Sequence, residues 1–320
     1  MDIINIIITT SLPVWLIIIT GAVATRLLRW NESVSGVLGH VVLYITMPCL
    51  MILSLSELRV DQSINMRFVI SYAVSTLLVG VIMALIAYQV FRRQADEAAM
   101  HLILTAPVNA AFLGIPIFDA VFDDPTPMII VASYQVIFTN VFSFIVVKYL
   151  SGIRQSGADV ILKTTISLIK DPLLISVSIG FLIFVAGLHV PELIKQPMSW
   201  LADATTPLIL LTLGITLAAQ RDHNMNTNSR REVSIATGFK LIAHPLLAGL
   251  IGYFIFGLED MWLGMIVLAT ALPTAQNTVI YATQLGLYIR RAALVTTTTT
   301  VGSAITLTII IVAIAAMGLN

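Results

Sequence analysis

The sequence predicts an all-α integral membrane fold of ten transmembrane helices, on three observations: its composition, the spacing of its apolar windows, and the charge between them. Of the 320 residues, 58 % are hydrophobic and 11 % charged, and the mean hydropathy is +0.96. Soluble domains carry about a quarter charged residues. A chain this apolar cannot hide its surface in one water-soluble core, so its solvent, and its first partner, is the lipid bilayer. A net charge of zero offers no basic field for nucleic acid. The single cysteine, Cys49, excludes an internal disulfide framework and reads as a small buried hydrophobe.

Windows long enough to cross about 30 Å of hydrocarbon fall at roughly 4–26, 34–54, 67–91, 98–122, 127–150, 172–189, 198–219, 233–257, 261–286 and 291–318. The first is longer than a signal-peptide core, ends in Arg26 and Arg29, and reads as a retained span. One set of alternate loops holds thirteen basic residues, among them Arg92, Arg93, Arg230, Arg231, Arg290 and Arg291; the other holds three, Arg59, Arg67 and Lys195. This bias places the richer side in the cytoplasm, so the expectation is a cytoplasmic (inner) membrane protein with both termini outside. The mid-chain connection, 151–171, spaces Val160, Ile161, Leu168 and Ile169 around Lys163 and Lys170. It reads either as an amphipathic helix at the cytoplasmic interface or as an ordered loop.

The two halves superpose with one shift. Pro13, Gly21 and Pro48 fall on Pro172, Gly180 and Pro207, each 159 positions later, and Pro116 falls on Pro273, 157 later. The expected units are therefore a five-helix repeat over 1–150, the linker, and a second over 172–320. With an odd number of spans in each, the second copy is inverted, an arrangement that transporters use to build two states facing opposite sides.

The fourth and ninth windows carry proline at corresponding places: Asn109-Ala-Ala-Phe-Leu-Gly114-Ile-Pro116, and Ala271-Leu-Pro273-Thr274-Ala-Gln276-Asn277. Proline removes an amide donor and clashes with the preceding turn. Backbone groups freed in hydrocarbon are tolerated only where protein or a cavity receives them. If half-helices begin after Pro116 and Pro273, their N-termini aim at one central point from opposite sides. Such ends carry partial positive charge and free amides and favour an anion. Asn109, Thr274, Gln276 and Asn277 add uncharged donors and acceptors. The competing interpretation is simple kinks, with the amides as interhelical glue.

Lys240 lies about 12 Å into the eighth window at 1.5 Å per residue. Three roles are open to it: counter-charge to an anionic substrate, snorkelling to the interface, or pairing with Asp203. His244, one turn on, is either a proton relay or a packed histidine. Asp203 is either a proton or cation site or a helix cap before Thr205. Asn140, Gln135 and the run Thr296 to Thr300 could line a path, although threonines also bond their own helix carbonyls. No His-Glu-x-x-His, Gly-x-Ser-x-Gly, phosphate-binding glycine loop or Cys/His cluster occurs in the sequence. The reading is therefore a non-enzyme with no cofactor and no metal.

Asn109 to Pro116, Leu213 to Ala219, Lys240 to Pro245 and Ala269 to Pro273 resemble the auxin efflux carrier family, in particular its bacterial malonate and malate permeases, over essentially the whole chain. The resemblance implies two inverted five-helix repeats with crossed broken helices four and nine, as in bile-acid symporters. It also implies a scaffold distinct from the crossing helices, elevator-like motion and a homodimer. The implied function is secondary transport of a small mono- or dicarboxylate such as malonate or malate. The alternatives are an anion or solute channel, and an exporter of auxin-like aromatic carboxylates. The mid-chain loop of about twenty residues is far shorter than that of plant members, which favours a bacterial permease.

Overall fold

The structure is a computed structural model that describes residues 12–30, 32–57, 65–135, 139–151, 172–219, 227–275 and 277–318. Apart from Ser151, the expected linker lies outside these residues. The described residues form α1 (Leu12–Leu28), α2 (Ser33–Ser56), α3 (Met66–Gln89), α4 (Ala95–Ala99), α5 (His101–Leu104), α6 (Ala110–Phe122) and α7 (Thr126–Tyr134). The chain continues with α8 (Asn140–Leu150), α9 (Pro172–Val185), α10 (Glu192–Ala219), α11 (Ser229–Ile255), α12 (Asp260–Ala271), α13 (Asn277–Leu285) and α14 (Ile289–Ala316).

This corrects the expected architecture. Among the described residues, five helices are long and apolar enough to cross a membrane: α2, α3, α11, α14 and the Glu192–Thr216 part of α10. The ten-helix, inverted-repeat, bile-acid-symporter-like fold is not what these residues form. Windows 98–122 and 261–286 are chains of short helices, and Trp15–Leu28, Ala110–Phe122, Ile175–Val185 and Asp260–Ala271 fall in the shorter class of 10–17 residues. The physical reason is that hydropathy measures transfer from water and is blind to hydrogen-bond continuity. An apolar window passes unchanged through a proline that ends the helix.

Prolines shape the helices that persist. Three π-helical turns, Val42–Thr46, Ala110–Gly114 and Phe239–Ala243, each end two residues before a proline: Pro48, Pro116 and Pro245. Widening the turn relieves the clash of the ring with the preceding carbonyl. The helix continues instead of breaking.

Helices α1, α2, α9 and α10 pack on one another. Gly21 and Gly214 bring α1 and α10 together so closely that an added Cβ would collide with the carbonyls of Leu211 and Ile18 respectively. A second group, α3, α11, α12 and α14, packs together and against the short helices α4, α5 and α13, while α6 packs on α7 and meets α10 at its first turn. One core, including Met47, Tyr72, Leu113, Phe118, Met128, Met265 and Leu272, runs through both groups. Leu27, Leu193 and Phe254, by contrast, are 76 %, 89 % and 74 % exposed. Large apolar side chains turned outward all over a chain are the surface that lipid covers.

Candidate substrate site where two helix breaks meet

Pro107 biases Ala106 away from helical geometry, and the chain crosses from α5 to α6 through residues 105–109. Leu272, before Pro273, is likewise extended (φ −59, ψ 146) and ends α12. The two breaks touch. Val108 and Thr274 form an antiparallel bridge, and Asn109 N donates to Pro273 O at 2.7 Å. The first break thus lies at 105–109, ahead of Pro116, whose missing donor is absorbed by the Ala110–Gly114 turn. Gly114 is buried against Met128 and Leu272, where a Cβ would clash.

Each carbonyl freed by the first break finds a donor. Thr278 Oγ1 donates to Ile103 O (3.2 Å) and Thr274 Oγ1 to Leu104 O (2.9 Å). Lys240 Nζ donates to Thr105 O (3.0 Å), Ala106 O (3.1 Å) and Pro107 O (3.1 Å). Gln135 clamps the next peptide from both sides: Val108 N donates to its Oε1 at 2.6 Å, and its Nε2 donates to Val108 O at 3.1 Å. Tyr72 OH also donates to Gln135 Oε1 (3.0 Å). On the second break, Thr274 N donates to Thr299 Oγ1 at 3.2 Å. Unpaired carbonyls in a dry site would each cost about 1–3 kcal/mol, so this satisfaction holds the broken backbone in place.

Lys240 and His244 are fully buried. Nζ lies 3.2 Å from His244 Nδ1. His244 Nε2 faces Thr76 Oγ1 at 3.4 Å; with Lys240 as an ammonium, which can only donate, Nδ1 accepts and Nε2 carries the ring proton. Among the described residues, no carboxylate pairs with Lys240. Asp203 is exposed on α10 and is not brought to it. At the same crossing Asn109 is buried; its Oδ1 accepts from Phe112 N (3.3 Å), and its Nδ2 has no partner among the described residues. Asn277 opens α13 and Asn140 opens α8, while Gln276 lies outside the described residues. In the threonine run, Thr297, Thr298, Thr299 and Thr300 bond carbonyls of their own helix, and Thr299 also serves the crossing.

A second polar cluster escaped the sequence reading. Glu232, about 1 % exposed, accepts from Arg93 Nε (3.1 Å) and Nη2 (2.8 Å), His101 Nε2 (3.2 Å) and Tyr288 OH (2.7 Å). Arg291 Nε stands 3.3 Å from its Oε2 as an ion pair without hydrogen-bond alignment, Nη2 donates to Ser229 Oγ (3.1 Å), and the guanidinium covers the Tyr288 ring at 4.1 Å. Burial and the adjacent Glu232 push the Tyr288 phenol up from its ordinary range, so it stays a donor. The available signal was an acid beside Arg230 and Arg231 at the mouth of an apolar window. Its partners on three other segments were invisible.

The comparisons agree with a transport role. The family described as "Membrane transport protein" matches residues 6–159 and 153–311. The chain belongs to this family. Within it, the chain is 28 % identical over 207 residues to "Uncharacterized transporter YfdV" of Escherichia coli (strain K12), covering 63 % of this chain. The match spans 64 % of that relative's length. It is 23 % identical over 301 residues, 93 % of this chain and 92 % of the relative, to "Putative malonate transporter" of Rhizobium meliloti. An uncharacterized transporter of Methanocaldococcus jannaschii is 24 % identical over 264 residues, 79 % of this chain and 81 % of the relative. This family member thus combines five described helices long and apolar enough to cross a membrane with a match to a membrane transport family over nearly its whole length.

Proposed function

We propose that this transporter carries a small organic anion, a mono- or dicarboxylate of about the size of malonate, bound where the two breaks meet. One observation carries the reading: a buried lysine stands at the crossing with no carboxylate partner among the described residues. A buried charge without a counter-charge is costly, and an anionic cargo supplies the missing one. Asn109 Nδ2, the unpaired buried donor beside it, is the hydrogen bond a carboxylate oxygen accepts. The starts of α6 and α13 add partial positive charge. Thr274, Gln276 and Asn277, which follow Pro273 in the sequence, and Asn140, at the start of α8, are assigned to the same site on sequence position. The relative named as a malonate transporter points to the same cargo class.

Alternating access follows if the group around the breaks moves as a body against α1, α2, α9 and α10, in the manner of an elevator. The basic loops, with Arg93 and Arg291, face the cytoplasm in this account. The test is uptake of radiolabelled malonate, acetate and malonamide into proteoliposomes. Saturable malonate flux that malonamide does not inhibit supports the reading. Malonamide inhibition equal to that of malonate would remove it.

A further inference from the structure

We propose that Lys240 is a tethered cation: its ammonium fills a cation site built from the backbone of the first break and His244, and vacating it opens that site to a small free cation. The geometry carries this. Three consecutive carbonyls, of Thr105, Ala106 and Pro107, converge on Nζ at 3.0, 3.1 and 3.1 Å, and His244 Nδ1 stands at 3.2 Å. The three carbonyls can only accept, and they belong to the chain just past the C-terminal end of α5, where a helix end is negative. Three carbonyls match the three N–H donors of an ammonium, whereas a neutral amine has two and would leave one carbonyl without a donor.

The cradle does not depend on the lysine for its shape. Thr278 and Thr274 hold the carbonyls before it, Gln135 clamps the peptide after it, and Asn109 N is tied to Pro273 O. His244 is braced at Thr76. Removing the side chain beyond Cβ therefore leaves preset acceptors around a vacancy the size of the lost ammonium and its stem. Arginine cannot refill it, because a planar fork spreads its donors instead of converging them on one point.

The primary test needs no substrate, so it stands or falls separately from the cargo assignment. Melting of purified wild type and Lys240→Ala is followed in ammonium, methylammonium, sodium, potassium or choline chloride at one ionic strength. Wild type should melt at the same temperature in all five. Lys240→Ala should melt lower in choline and regain roughly 5 °C or more, saturably, in ammonium or methylammonium, with choline too large to enter. Should Lys240→Ala be recoverable only when purified in ammonium, that supports the proposal too. Lys240→Gln, which keeps a polar stem, gives the same readout if the alanine variant does not fold in any salt. Melting of the folded variants that is identical in all five salts would overturn the proposal. So would a wild type that is itself stabilised by ammonium or sodium over choline.

Discussion

Two buried charges define two regions of this molecule, and they are satisfied in opposite ways. Glu232 is surrounded by side chains that answer its charge: two guanidiniums, a phenol and an imidazole from three other segments. Lys240 is surrounded by dipoles, three carbonyls and the His244 ring, which meet its hydrogen bonds but supply no carboxylate to balance its charge. The first region is closed. It ties the loop after α3 to α5, α11 and the start of α14, and its charge is spent within the protein. The second is open in the electrostatic sense: its backbone is satisfied but one unit of charge and one amide donor, Asn109 Nδ2, are left over. A fold tolerates such a remainder where a ligand completes it.

The largest expected effect comes from Lys240→Met. It removes the counter-charge and strands three buried carbonyls at about 1–3 kcal/mol each. Malonate flux in proteoliposomes should fall below detection, and the melting temperature should drop as well. Wild-type flux in this variant would erase the distinction between the two regions. Next is Glu232→Gln, which leaves Arg93 and Arg291 facing a neutral amide. Breaking a buried pair costs about 3–5 kcal/mol, read as a lower melting temperature, whereas the apparent affinity for malonate in the folded fraction should stay within about twofold, less than 0.5 kcal/mol. A changed affinity would mean that the cluster reads cargo too.

Asn109→Ser sharpens the contrast from the other direction. Serine keeps an oxygen to cap Phe112 N but loses the amide donor. Stability should change by less than about 1 kcal/mol, while malonate binding by calorimetry should weaken about tenfold, the worth of one hydrogen bond to a charged group. The smallest effect is expected at Glu57, whose pair with Lys195 (2.7 Å) is exposed on both sides. Such pairs contribute little, so Glu57→Gln should leave melting temperature and flux unchanged.

The long apolar windows were legible because five of them become long helices whose interior hydrogen bonds nothing interrupts. The existence of the two breaks was legible from proline and the neighbouring amides. The place of the first was not: it was expected at Pro116 and lies at 105–109. Pro107 and Pro116 send one signal from sequence, yet the chain breaks at the first and accommodates the second with a π turn. The chemistry of the crossing was half legible for a related reason. Depth alone marked Lys240 as important, but its partners at Thr105 to Pro107 lie more than 130 positions away. Gln135, taken as a lining residue, turned out to be the clamp on Val108. Hydropathy reports which residues leave water; it carries no record of which backbone groups they must then satisfy.

The central claim, that the charge left over at Lys240 is there for an anionic cargo, is tested most directly by calorimetric binding of malonate, acetate and malonamide to the wild-type protein. These ligands share a size range and differ in charge. The account predicts the order malonate, then acetate, then malonamide, with the diamide about a hundredfold or more weaker than the dicarboxylate, close to 2.7 kcal/mol. Equal affinity for malonamide and malonate would show that the crossing does not read charge, and would contradict the account.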